Sequence, residues 1–144
     1  MISYEEIRRI ANTRFRDSEI LFERRRYNGS IHVCALANEL AFKTIICCRL
    51  GLKGIPNHSH EFKTIQEIKT HNLEELLKVL QRLDKGIADE IIKNRNADWN
   101  IILDWNPDKR YLPINEKSTT QWKKEAEELI KSTRRTIRYL WHNL

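Results

Sequence analysis

The longest nearly unbroken apolar stretch of the chain runs from Tyr27 to Leu50, and the segments around it are patterned to pack against it. Its apolar side chains fall on all sides, as in a helix enclosed within a core. Three large polar residues interrupt it: His32, Glu39 and Lys43. At about 100° per residue, His32 and Glu39 differ by roughly 20° and Lys43 by a further ~40°, so the three share one stripe. Glu39 stands four residues before Lys43, the favourable order for a helical ion pair. The preceding segment is amphipathic. Ser3-Tyr4-Glu5-Glu6 reads as a capping box opening a helix with Ile7, Ala11, Phe15, Ser18, Leu21 and Phe22 on one face. Asn28-Gly29 is the expected break, and Asn28 or Ser30 the expected cap of the central helix. Arg24, Arg25 and Arg26 then fall in the last turn of the first helix, where cations suit the helix dipole.

Downstream, Gly51, Gly54, Pro56 and Asn57 mark a loop, with Phe62, Ile65 and Ile68 spaced for a short helix inside it. Asn72 is the expected N-cap of the next helix, with Glu75 completing its box. Leu73, Leu76, Leu77, Leu80 and Leu83 form its stripe, and Gly86 ends or bends it. Short helices are expected around Ile87, Ile91 and Ile92 and from Trp99 to Trp105, followed by a proline-bounded loop from Asn106 to Pro113. Ser118 and Gln121 open the last helix. There Trp122, Ala126, Leu129, Thr133, Ile137, Leu140 and Leu144 alternate at spacings of four and three, the seam of a bundle helix. No strand-like alternation stands out. The pattern predicts one domain over 1–144, all-α, an antiparallel up-and-down bundle of about four main helices with short extra ones.

Composition narrows the class. A length of 144 residues suffices for one real core, and 4 Gly with 3 Pro argue against a turn-rich β fold or a disordered chain. The Ile31–Leu50 run carries His32, Glu39, Lys43 and Arg49, so no membrane span is expected. The start of the chain lacks the charged and apolar regions of a signal peptide, and a cytoplasmic location follows as the expectation. Cys34, Cys47 and Cys48, an odd set on the apolar helix, read as buried small hydrophobes rather than a disulfide framework. The net charge of +6 suits an acidic partner such as RNA. His58-Ser59-His60, with His71 further on, lacks a metal-ligand spacing, so neither metal nor cofactor is expected.

Four ordered pieces carry a family resemblance. Tyr27-Asn28-Gly29-Ser30 leads into Ala35, Ala37, Glu39 and Lys43; His71-Asn72-Leu73 is followed by Leu76-Leu77; Arg110-Tyr111 precedes the last helix; and Ala126 to Leu140 closes the chain. Together they resemble the HEPN domain (higher eukaryotes and prokaryotes nucleotide-binding), here a stand-alone bacterial or archaeal member. The resemblance implies a helical bundle that forms homodimers. It also implies either a ribonuclease of toxin–antitoxin and antiphage systems, partnered by a small nucleotidyltransferase, or an inactive module that binds nucleotide or RNA. Active members use an Arg, four to six residues, then a His, two such motifs facing each other across the dimer.

Two windows fit that spacing. Arg135 and His142 differ by about 20° on a helix, with Arg138 on the same side, and both point roughly 140–160° away from the core residue Ile137. Arg135 would be the phosphate-binding cation and His142 the acid/base; alternatively they form an ordinary basic helix end. The second window, Arg26 to His32, spans a turn, and periodicity gives it no geometry. Lys43, His71, Arg110 and Tyr111 are ligand-binding candidates for an anion. Their structural alternatives are a buried Glu39–Lys43 pair, an ordinary residue ahead of an N-cap, and a loop anchor on Trp105. The leading expectation is metal-independent RNA cleavage or RNA binding. A non-catalytic nucleotide- or RNA-binding module beside a nucleotidyltransferase, or a structural dimerisation domain, stands as the alternative.

Overall fold

The computed structural model describes residues 2–51, 54–55, 69–105 and 113–144. The helix expected around Phe62, the His58–His60 pair, and Arg110 with Tyr111 lie outside these residues.

Helix α1 (Tyr4–Glu23) opens with a complete capping box: the Glu6 N–H donates to Ser3 Oγ, and the Ser3 N–H donates to the Glu6 carboxylate. Ile7, Ala11, Phe15 and Ser18 form its buried face. The turn that follows differs from the expectation. Arg24, Arg25 and Arg26 are the turn itself, Arg25 adopting a left-handed φ of 62°. Asn28 and Gly29 lie inside the first turn of α2 (Tyr27–Arg49), whose N-terminus has no side-chain cap. Ser30 is not free to cap, because its hydroxyl donates to the Ser18 carbonyl at 2.7 Å between the two helices. That buried carbonyl competes successfully with a solvent-facing cap.

Helix α2 is the centre of the molecule. Ile31, Cys34, Ala37, Ala41, Phe42, Ile45, Ile46 and Cys47 are enclosed by its neighbours. By length and composition α2 could cross a bilayer, contrary to the reading above, yet 72% of its most apolar window is buried inside the bundle. Its apolarity therefore serves packing here. Helices α1, α3 (Leu73–Leu83) and α6 (Thr119–His142) pack most extensively against α2, and α4 (Lys85–Asp89) and α5 (Asn96–Leu103) complete six α-helices among the described residues. A π-turn (Glu90–Asn94) joins α4 to α5, and a single 3-10 turn (Ile114–Glu116) precedes α6. Strands β1 (Ile2–Ser3) and β2 (Gly54–Ile55) form one two-residue antiparallel pairing.

Local signals explain most boundaries. Asn72 caps α3 by accepting from the N–H groups of Glu74 and Glu75. Its own N–H donates to Thr70 Oγ1, not to Glu75, so the expected box is half formed. Helix α3 stops at Asp84 rather than Gly86, because the Asp84 carboxylate accepts the Ile87 N–H and caps α4 instead. Ser118 caps α6 as expected, accepting from the Gln121 N–H.

The helix directions correct the up-and-down expectation. Asn12 meets Trp141 and Glu19 meets Arg134, so α1 and α6 are antiparallel. Cys34 meets Thr133 and Cys48 meets Leu144, so α6 runs the same way as α2, as alternation among four main helices requires. The departure lies in α3, which should run the other way but also follows α2: His71, at its start, meets Glu39, and Asp84, at its end, meets Arg49. Alternation needs short connections, and the chain between α2 and α3 is long enough to restart α3 beside the middle of α2.

Cys34 and Cys47 are fully enclosed, and burial pushes both thiols up to about 11. Cys48 is only half-buried. A thiol probe at mildly alkaline pH should therefore label Cys48 first in the native protein, with Cys34 and Cys47 reacting only on unfolding. Rapid native labelling of Cys34, read by mass spectrometry, would contradict this packing.

Candidate functional site

One face of α6 near its C-terminus carries Arg135, Arg138, Tyr139 and His142, at i, i+3, i+4 and i+7. Together with Arg95 these side chains line an open depression of about 350 Å³. Arg138 and His142 are exposed, and the Arg135 side chain keeps 54% of its surface. The end of α6 is tied by hydrogen bonds. The Asn143 N–H bonds back to the Tyr139 and Leu140 carbonyls, and Arg49 reaches across from α2 to donate to the Asn143 and Leu144 carbonyls. Arg49 Nε also donates to Asp84 at 2.8 Å, so one guanidinium ties α2, α3 and α6 together beside His142.

Arg135 has a partner that periodicity did not reveal. Its Nε donates to Asp98 Oδ1 and Oδ2 at 3.1 and 3.0 Å, and its Nη2 to Oδ1 at 2.7 Å. This fork fixes the plane of the guanidinium while leaving Nη1 free of Asp98. Burial would raise the Asp98 carboxyl, but the hydrogen bonds from Arg135, with the charges of Arg135 and Arg95, hold it below its ordinary value. The hydrogen bond from Arg49 likewise lowers Asp84. Both carboxyls titrate lower folded than unfolded. Their stabilisation is therefore complete above about pH 4 and lost as pH falls through the lowered values. Asp98→Asn should lose less melting temperature than the wild type between about pH 7 and about pH 3. Equal losses would remove Asp98 from the acid response.

Arg95 was also missed. It follows the π-turn, where its N–H closes a wide bond to the Glu90 carbonyl at 2.9 Å. Its guanidinium carbon lies 4.3 Å over the Tyr139 ring, and its Nε comes within 3.6 Å of Glu90. Burial and the Glu90 charge raise the Tyr139 phenol above its ordinary value, so it stays neutral.

The other candidates assemble elsewhere. Glu39 and Lys43 are buried with Lys43 Nζ donating to Glu39 Oε2 at 3.1 Å, and His71 Nδ1 lies 3.2 and 3.1 Å from the two Glu39 oxygens. Three residues from the sequence reading thus form one cluster, with the His71 side chain 68% exposed and the Lys43 ammonium turned inward. In this arrangement Lys43 neutralises Glu39 and only His71 faces solvent. His32, on the same stripe, is half-buried two helical turns earlier. The Arg26–His32 window does not converge. Arg26 lines a separate hollow of about 490 Å³ with Leu21, Tyr27, Ile114 and Trp122, and His32 is not among its walls. Among the described residues no group of three His, Cys, Asp or Glu side chains is placed to hold a metal ion.

Compared with known proteins, the chain matches the family model described as the HEPN domain over residues 4–143. No curated protein and no solved structure gave a significant match.

Proposed function

The chain belongs to the HEPN domain family, and on that premise we propose that it is a metal-independent endoribonuclease whose site is the depression on α6. Membership carries an RNA-related, nuclease-associated role in general terms. The observation that supports the finer reading is the convergence of His142 with the Asp98-held Arg135 on one exposed face.

The chemistry follows from those groups. An imidazole at the His142 position takes the proton of a ribose 2′-OH, which attacks the adjacent phosphorus. The bond from phosphorus to the 5′ oxygen breaks, that oxygen is protonated, and the products are a 2′,3′-cyclic phosphate and a 5′-OH end. Arg135, its plane set by Asp98, presents Nη1 to the charge that develops on the phosphate oxygens. A second copy of the chain facing this exposed site would supply the imidazolium for the leaving oxygen and shield the reaction from water. A cytoplasmic toxin or antiphage effector restrained by a nucleotidyltransferase partner fits this activity. RNA carrying one 2′-deoxy sugar tests the mechanism: cleavage should cease at that linkage alone, and cleavage there would contradict attack by the 2′-OH.

A further inference from the structure

We infer that Arg95 and Arg138, rather than Arg135, supply the charge that grips the RNA backbone in this depression, which divides binding from chemistry among its three arginines. The inference rests on reading the depression as the RNA site. Arg135 is poorly suited to capture an anion, since two of its three nitrogens already face Asp98 in a forked ion pair. Arg138 differs. It is exposed on the same face, and among the described residues no carboxylate lies within ion-pair distance of it. Arg95 is held by its stack on Tyr139 and by a loose ion pair to Glu90 at 3.6 Å, too long for a hydrogen bond, so its buried Nε donates to nothing among the described residues. A guanidinium held in place with hydrogen-bonding capacity unfilled can fork onto two oxygens of a tetrahedral phosphate. Counting formal charges, three guanidiniums face the carboxylates of Asp98 and Glu90, so one positive charge remains uncompensated in the depression.

The π-turn is the device that brings Arg95 there. Its extra residue widens the backbone between α4 and α5 and delivers Arg95 to the rim while Asp98, one turn later, reaches Arg135. One short connection therefore supplies both a grip residue on the wall of the hollow and the carboxylate that positions Arg135.

Binding of a short labelled single-stranded RNA to the full chain, over a range of salt concentrations and with a chelator present, tests this. Arg95→Ala and Arg138→Ala should each weaken binding about fivefold at moderate salt and flatten the slope of log affinity against log salt by about 0.7. Arg95→Lys should recover part of the Arg95 loss by restoring the charge without the planar fork. Lys131→Ala, which removes an exposed charge elsewhere on α6, is the control for net charge and should stay within about twofold. In cleavage, the Arg95 and Arg138 variants should raise KM with kcat little changed, whereas Arg135→Ala should lower kcat. Circular dichroism melts confirm that each variant is folded. If folded Arg95→Ala and Arg138→Ala bind like Lys131→Ala while His142→Ala still abolishes cleavage, this inference fails and the nuclease reading stands. If His142→Ala cleaves like the wild type while the two arginine variants lose binding, the grip stands and the nuclease reading fails.

Discussion

His142→Ala lowers RNA cleavage roughly 10²–10⁴-fold, the range expected when a positioned acid/base group is removed. Folding should be unaffected. His142 is exposed at the last position of α6, and the helix end is held by Arg49 and by the Asn143 backbone rather than by the imidazole. A thermal melt coincident with the wild type, alongside lost cleavage, separates a chemical role from a structural one. Wild-type cleavage by His142→Ala would remove the residue from the mechanism. A parallel loss of activity and melting temperature would instead make His142 part of the packing.

Phe42→Ala is expected to cost about 3–5 kcal/mol, the largest stability effect proposed for the core. Phe42 is completely buried on α2, and its ring lies 5.4 Å from that of Trp99 on α5. Truncation opens a cavity where α5 docks, and Asp98, next to Trp99, is what holds Arg135. Loss of stability should therefore come with a loss of cleavage larger than the unfolded fraction explains. The midpoint of urea unfolding measures the first effect, and activity per folded molecule the second. By contrast, Arg134→Ala breaks a partly exposed ion pair with Glu19 and a cation–π contact with Phe15, together worth no more than about 2 kcal/mol. A Phe42→Ala midpoint no lower than that of Arg134→Ala would contradict the placement of α5 on α2.

What could be read from residues alone follows the range of the interaction. The caps at Ser3, Asn72 and Ser118 and the seam of α6 as far as Leu140 depend on neighbours within a turn or two, and they formed as expected, whereas Leu144 falls beyond the helix end. The shared face of Arg135 and His142 follows from helix geometry in the same way. Glu39 and Lys43 are a local pair, but His71 reaches them from 32 residues away, and no local pattern joined it to Glu39. Asp98 and Arg95 left no local trace. Asp98 is 37 residues from Arg135, and Arg95 reaches the site through a π-turn that hydrophobic spacing does not encode. The Arg24–Arg26 turn was misplaced for a related reason: Asn28-Gly29 is the stronger turn signal, yet Arg25 carries the left-handed residue. The direction of α3 depends on how far a long connection carries the chain, which periodicity cannot say.

The most direct measurement is incubation of the purified wild-type chain with total RNA and with a short labelled RNA, a chelator present throughout. Fragments ending in 2′,3′-cyclic phosphate are expected from the wild type and none from His142→Ala. Intact RNA in both reactions would contradict the nuclease reading and leave a non-catalytic RNA- or nucleotide-binding module as the better description of this site.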